Sequence, residues 1–188
     1  MGGVYSRQTN TWLLLIYTVP AEPSRKRAFV WRDVKKVGAV YLRDGVCVLP
    51  EQPETARALR AIAAKVEEFG GQATLIDGAR LETARAESLA DQSRAARAAE
   101  YTDIAREAER LLDHIARETE HRDFTFAELA ELEADLSKLD QWLAQVRERD
   151  YFAAGPEERL QGLMVRCEQA LAAFLEATAS HEIQTPPT

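Results

Sequence analysis

The 188-residue sequence predicts an α+β protein with two parts. Apolar periodicity and turn residues place a strand, a helix, two strands, a helix and a strand, in that order, within residues 1–80. This order is the split βαβ arrangement of a ferredoxin-like domain, in which both helices cover one face of an antiparallel sheet. From residue 81 onward glycine becomes rare and Ala, Glu, Arg and Leu dominate, which predicts an antiparallel helical extension over residues 81–180.

The first strand is predicted at residues 12–19, a short apolar run that stops at Pro20. The helix that follows is predicted over residues 25–37, with Ser24 as its N-cap and Gly38 as its C-terminal stop. At about 100° per residue, one face of this helix carries Val30, Val34 and Val37. The opposite face carries Arg25, Arg32 and Lys36. We therefore expect an amphipathic helix whose valines face the sheet.

Residues 40–43 and 46–49 are predicted to pair as a hairpin, because Asp44-Gly45 suits the two positive-φ positions of a type I′ turn. A two-residue loop would place Tyr41 and Arg43 on the same sheet face as Val48 and Val46. It would place Val40 and Leu42 on the other face, with Leu49 and Cys47. Arg43 is then expected at the hairpin tip.

The second helix is predicted to begin at Pro53 and to end at Gly70-Gly71. Its apolar face consists of Leu59, Ile62, Val66 and Phe69. Residues 72–77 are predicted to form the last strand. These elements complete the ferredoxin-like order.

Three helices are predicted in the extension. The first covers residues 83–120, the second begins at Thr125, where Thr125 and Glu128 suit a capping box, and the third begins at Pro156. An apolar seam at threes and fours runs along the second helix: Leu129, Leu132, Leu136, Leu139, Leu143 and Val146. Core packing and homodimerisation both explain this seam. Residues 181–188 are predicted to be a disordered tail.

Composition indicates a reduced, non-membrane protein. Cys47 and Cys167 lie far apart in apolar surroundings, which is typical of buried thiols in a cytoplasmic protein. The apolar run at residues 12–19 is much shorter than the roughly 20 residues that span a bilayer. We therefore predict a cytoplasmic location and no membrane partner.

Positive charge is concentrated in residues 24–43 of a chain whose net charge is -7. This segment holds seven Lys/Arg and one acidic residue, next to Phe29 and Trp31. A basic block of this kind favours an anionic partner, and we predict that it contacts the phosphates of DNA. The predicted DNA-binding residues are Arg25, Lys26, Arg32, Lys35, Lys36 and Arg43. The alternative is a solvated face whose arginines pair with the acidic extension.

Two other kinds of ligand are considered. A tetrahedral oxyanion suits the start of the basic helix, where backbone amides lie near Ser24, Arg25 and Arg27. His114, Glu118 and His121 occur at i, i+4 and i+7, a spacing that permits metal coordination. That spacing alone is more typical of a polar surface, so we predict no metal and no cofactor. No nucleophile, base and oxyanion set is evident in the sequence, and we predict that the protein is not an enzyme.

Three blocks of sequence resemble the N-terminal domain of ChrB-type chromate-resistance regulators. The first is WLLLIYTVPAEPSRKRAFVWRDVKKVGAVYLRDGVCVLP, and it carries the apolar strand, the basic helix and the Arg-Asp-Gly hairpin. The second is FTFAELAELEADLSKLD, and the third is Arg149-Asp150-Tyr151-Phe152. The resemblance therefore covers most of the chain.

The resemblance implies a transcriptional regulator that binds operator DNA and responds to chromate. Longer members continue into a C-terminal domain tied to the chromate response, so this chain looks like a short form of the family. The alternative is an interaction or oxyanion-sensor module that works with a separate regulator and does not contact DNA. A homodimer formed through the helical extension is also expected.

Overall fold

The computed structural model describes residues 11–156 and 158–184. These residues form β1 (Trp12–Thr18), α1 (Ser24–Lys36), β2 (Val40–Arg43), β3 (Val46–Pro50), α2 (Pro53–Glu68), β4 (Gln72–Ala79), α3 (Thr83–His121), α4 (Phe126–Glu148) and α5 (Glu158–Gln184). They divide into two compact units. The first unit runs to Ala95 and includes Arg149–Ala153, and the second holds the remaining described residues. The division thus falls inside α3, whereas composition placed it at residue 80.

The first unit is built on a four-stranded sheet with the order β2-β3-β1-β4. Each neighbouring pair of strands is antiparallel. β1 lies between β3 and β4, and its side chains enter clusters on both faces of the sheet: Leu13 and Leu15 on one face, Trp12 and Leu14 on the other. Burial on both faces explains why its sequence is continuously apolar rather than alternating. The predicted α+β class and split βαβ order are confirmed.

Both helices α1 and α2 pack on one face of this sheet. Their apolar stripes are buried against alternate residues of β1 and β3, and the shared core contains Leu13, Leu15, Val30, Val34, Cys47, Leu49, Leu59, Ile62 and Val66. The opposite sheet face is covered by a smaller cluster, in which Leu89 of α3 packs against Trp12 and Val48. The sheet therefore holds α1 by its valines and leaves the basic stripe of that helix outward.

The two ends of α1 differ in how well the sequence predicted them. Ser24 is the first helical residue rather than the N-cap, because the extended Pro23 occupies the cap position and no side chain caps the helix. At the other end Gly38 has a φ of 76° and donates its N–H to the carbonyl of Lys35. Gly38 is thus the predicted C-terminal stop, in the left-handed conformation that glycine favours.

The turn between β2 and β3 is not the predicted type I′ turn. Gly45 has a φ of 70°, but Asp44 does not adopt a positive φ, and type I′ needs both. Gly45 accepts a hydrogen bond at its carbonyl from the N–H of Tyr17 at 2.7 Å, which ties the hairpin to the end of β1. The turn is therefore shaped by contact with β1 as well as by its own two residues.

The pairing of β2 with β3 also differs from the prediction. Arg43 pairs with Val46 as expected, but a β-bulge follows and Tyr41 pairs with Cys47 instead of Val48. A bulge inserts one extra residue and so reverses the faces of everything beyond it. The predicted grouping is wrong for that reason. Tyr41 packs against the core that contains Cys47, and the other sheet face holds Val40, Leu42 and Val48.

The second unit has a hydrophobic core that contains the leucine seam of α4. All six seam residues are buried there, together with residues of α3 and α5 such as Ile104, Ala108, Leu160 and Phe174. Core packing within one chain therefore explains the seam. α5 continues to Gln184, four residues into the segment predicted as a disordered tail, and residues 185–188 lie outside the described residues.

Only half of the predicted capping box at the start of α4 forms. The backbone N–H of Glu128 donates to the hydroxyl of Thr125 at 3.2 Å, as predicted. The N–H of Thr125 donates instead to the carbonyl of Asp123 at 3.0 Å.

Across the described ranges, no helix is both long and apolar enough to cross a membrane.

Candidate nucleic-acid interface

The outer stripe of α1 is formed by Arg25, Arg32 and Lys36. All three side chains are exposed, on the face opposite the buried valines. Arg32 donates from Nε to the carbonyl of Ala28 at 3.3 Å, which directs its guanidinium along the helix. The stripe thus presents three cations in one line, as the helical period predicts.

A cluster of two phenylalanines and two lysines lies between α1 and α2, with Lys26 and Phe29 from α1 and with Lys65 and Phe69 from α2 and its C-cap. Phe29 and Phe69 meet edge to face, with ring centroids 5.5 Å apart, and Nζ of Lys65 lies 5.6 and 5.0 Å from these two centroids. Lys26 donates from Nζ to the carbonyl of Phe69 at 3.0 Å, at the C-terminal end of α2. Free carbonyls at a helix C-terminus favour a cation. Lys26 is therefore engaged in joining the two helices, unlike the outer stripe.

The other flank of α1 approaches β2, which is an edge strand of the sheet. Nζ of Lys35 lies 5.6 Å from the ring centroid of Tyr41, whose hydroxyl is hydrogen-bonded to that of Tyr17 at 2.7 Å. Burial raises the pKa of both phenols, so both remain protonated in the neutral range. Trp31, one helical turn before Lys35, is 53% exposed. This flank offers a cation and an aromatic face side by side.

Arg43 stands at the hairpin tip, as predicted, and its side chain is exposed. The tip is held in place by Gly45, where an added Cβ would lie 2.4 Å from the carbonyl oxygen of Tyr17. Such an approach requires a glycine. The structure therefore anchors the backbone that carries Arg43.

The exposed cations of this surface form no ion pair with another described residue of the first unit. Ion pairs among the described residues of that unit lie elsewhere: Arg60 with Asp77, Lys65 with Glu68, and Arg94 with Asp91. None of them involves the five exposed cations Arg25, Arg32, Lys35, Lys36 and Arg43. We call these five residues the basic surface.

The start of α1 keeps its backbone amides free of side-chain caps. No acidic residue lies in the first turn, and Ser24, Arg25 and Arg27 are exposed there. The N–H of Lys26 donates to the carbonyl of Pro23 at 3.1 Å. The residues proposed for an oxyanion are thus adjacent and accessible, although Ser24 does not act as a cap.

The residues considered for a metal ion are only partly brought together. His114 and Glu118 lie close to each other in the second unit, but His121 is exposed and outside their group. Glu128 of α4 takes its place. The sequence pointed instead to a capping role for Glu128.

Comparison with known proteins identifies the family. The family model described as "Protein ChrB, N-terminal" matches residues 27–185, which is most of the chain and spans both units. Protein ChrB of Cupriavidus metallidurans is 32% identical over 76 residues, an alignment that covers 40% of this chain and 24% of that protein. The alignment therefore spans about a quarter of the curated relative. On the extent of the family match, the chain belongs to the family of ChrB N-terminal proteins.

Proposed function

We propose that this protein binds operator DNA through the basic surface and regulates transcription of a chromate-resistance operon, without acting as an enzyme. The observation that carries the proposal is the set of five exposed cations on α1 and the hairpin, none of which forms an ion pair with a described residue of the first unit. Exposed cations on one face neutralise phosphates and release counterions, which is the main source of DNA affinity.

The outer stripe has the dimensions of a backbone contact. Arg25 and Lys36 are eleven residues apart on one helix, which corresponds to about 16 Å at a rise of about 1.5 Å per residue. That length matches about five base-pair steps at about 3.4 Å each along one strand. Trp31 and Lys35 extend the contact on one flank, and Arg43 extends it at the hairpin tip.

The regulatory context is supported by family membership. The chain belongs to the ChrB N-terminal family, and its resemblance to ChrB-type regulators implies a role at a chromate-resistance operon. Phosphate contacts fix the orientation of a protein on DNA but carry no sequence information, so base recognition requires further residues. The proposal therefore attributes the affinity for DNA to the basic surface and the recognition of operator bases to other side chains at the edge of that surface.

The proposal is tested by charge reversal with a matched control. Reversal of Arg25, Arg32 and Lys36 to Glu is expected to abolish binding of a duplex from the promoter region of the gene, because the phosphates then face like charge. The control reverses three exposed arginines elsewhere, namely Arg85, Arg147 and Arg166, and changes the net charge by the same amount. Equal loss in both variants would show that net charge rather than this surface drives binding. Circular dichroism checks that both variants fold.

The start of α1 supports a second candidate function, oxyanion binding. Its uncapped amides lie beside Arg25 and Arg27, and a helix N-terminus attracts anions. Under this alternative the protein is a chromate sensor that works with a separate regulator. Titration with chromate, with sulfate as the competing oxyanion, distinguishes the two functions. If the protein is an oxyanion sensor, the wild type binds chromate and an Arg25→Ala and Arg27→Ala double variant does not. Neither protein would then bind DNA.

A homodimer through the helical extension remains a proposal. The α4 seam is already buried in the core of one chain, so another surface would have to form the interface. Among its described residues, the second unit exposes the large apolar side chains of Phe126, Val165 and Leu175. Light scattering of the wild type and of a variant with Val165→Glu and Leu175→Glu tests whether α5 forms a dimer.

A further inference from the structure

We propose that the second unit contains a binding site for a divalent transition-metal ion, formed by His114 and Glu118 of α3 and Glu128 of α4. One ligand atom from each residue lies within 4.8 Å of the others. The site is separate from the basic surface and does not depend on the proposed DNA binding.

The separations of the donor atoms suit a small metal ion. Nε2 of His114 lies 3.0 Å from Oε1 of Glu128 and 3.5 Å from Oε1 of Glu118. Two ligands at about 2.0 to 2.1 Å from a tetrahedral ion are about 3.3 Å apart. The two measured separations bracket that value, so one ion can reach all three residues with small side-chain adjustments.

A second observation comes from the carboxylate of Glu128. Its Oε1 is buried and has no hydrogen-bond partner among the described residues. Nε2 of His114 lies 3.0 Å from this oxygen, a separation that also suits two ligands of one metal ion. A buried carboxylate oxygen without a partner is costly, and a coordinated cation removes that cost.

The hydrogen bonds at the start of α4 also leave the Glu128 carboxylate beside His114. In a complete capping box, the Glu128 carboxylate would accept the N–H of Thr125. That N–H is bound to Asp123, and the carboxylate lies beside His114 on the neighbouring helix. The Glu128 carboxylate therefore does not accept the capping-box hydrogen bond from Thr125 at the start of α4.

The charges of the group favour a doubly charged ion. The side chains of His114, Glu118 and Glu128 are 23, 14 and 18% exposed, so the two carboxylates are largely shielded from water. Arg117 lies 3.2 Å from Glu118 at Nε and neutralises it in part from the exposed side. A divalent ion would offset the charge that remains on the pair.

The donor set selects the class of ion. An imidazole with carboxylates suits zinc, cobalt, nickel or iron, whereas magnesium and calcium prefer an all-oxygen shell. Three protein ligands leave one tetrahedral position open to water or an anion. We therefore expect Zn²⁺ and Co²⁺ to bind the intact chain and Mg²⁺ not to compete.

The test uses calorimetric titration of the intact chain with Zn²⁺ and absorption spectroscopy with Co²⁺. We expect one ion per chain and the visible absorption bands of tetrahedral Co²⁺. His114→Ala and Glu128→Gln are each expected to weaken Zn²⁺ binding by at least about tenfold. His121→Ala is the matched control, because this histidine is on the same helix, is exposed and lies outside the group.

Two results would overturn the site. The first is absence of stoichiometric Zn²⁺ binding by the wild type, which would make the group an ion-pair cluster. The second is an equal effect of His121→Ala and His114→Ala, which would indicate adventitious binding by surface histidines. The Co²⁺ spectrum of the wild type needs no variant, so the test holds even if a substitution impairs folding.

Discussion

The side-chain hydroxyl of Tyr151 donates a hydrogen bond to the backbone carbonyl of Val37 at 3.0 Å. Val37 is the C-cap of α1, and the carbonyls at a helix C-terminus lack partners within the helix. The two residues are 114 positions apart, so this bond joins the segment Arg149–Ala153 to the end of the basic helix. Phe152 stacks on Trp12 beneath the sheet, with centroids 5.6 Å apart. The segment therefore packs against both faces of the sheet in the first unit.

We predict that Tyr151→Phe lowers the free energy of unfolding by about 1 kcal/mol, because it removes this bond and leaves the carbonyl of Val37 without its donor. Urea unfolding measures the change. Trp31→Phe is the control, since Trp31 is 53% exposed, and we expect it to be close to neutral. Equal stability of Tyr151→Phe and the wild type would show that water replaces the hydroxyl.

Gly45→Ala should destabilise the first unit much more than Gly70→Ala. Both glycines have a positive φ, so both substitutions carry the conformational cost of about 1 kcal/mol. At Gly45 the new Cβ would also lie 2.4 Å from the carbonyl oxygen of Tyr17, whereas nothing lies within 4 Å at Gly70. We expect a loss above about 2 kcal/mol at Gly45 in thermal unfolding. Similar losses at both sites would contradict the close approach of hairpin and β1.

Lys26 and Lys36 are predicted to have different roles although both belong to the basic segment. Lys26→Ala removes a charged donor from the C-terminal end of α2 and should cost about 1 kcal/mol of stability. Lys36→Ala removes an exposed cation, so it should leave stability unchanged and weaken DNA binding. Chemical denaturation and a DNA titration on both variants separate the two effects. The reverse pattern would place the DNA contact on the α2 side of α1.

Cys47 and Cys167 are free and buried, as predicted from the sequence. Burial raises the pKa of Cys47 to about 12 and that of Cys167 to about 11, from 9.0. Above pH 9 the unfolded thiols ionise while the folded ones stay protonated, so stability should fall as the pH rises from 9 toward these values. A thiol reagent at pH 8 should therefore react with neither cysteine until denaturant is added. Rapid labelling of the native protein would contradict this burial.

The order of the elements could be predicted because short-range signals agreed with it. The apolar run of β1, the valine spacing in α1, Gly38 and the leucine seam of α4 each act within a few residues. The outer stripe followed from the same helical period. The burial of the seam in one chain could not be predicted, since the same spacing serves a core or a dimer.

Errors arose where a distant residue decides local structure. The β-bulge between Tyr41 and Arg43 depends on pairing with β3, and it reversed the predicted faces. The hydrogen bond from Lys26 to the carbonyl of Phe69, 43 positions away, likewise depends on the packing of α1 against α2. Glu128 was predicted as a helix cap, and its proximity to His114 arises only when α3 and α4 pack.

The most direct test of the proposed DNA binding is the salt dependence of binding to an operator-length duplex. With about four or five phosphates contacted by the basic surface, the logarithm of the association constant should fall with the logarithm of salt concentration at a slope of about -4. The reversal of Arg25, Arg32 and Lys36 should remove this dependence together with the binding. Absence of binding by the wild type at about 50 mM salt, where electrostatic contacts are strong, would contradict the proposal.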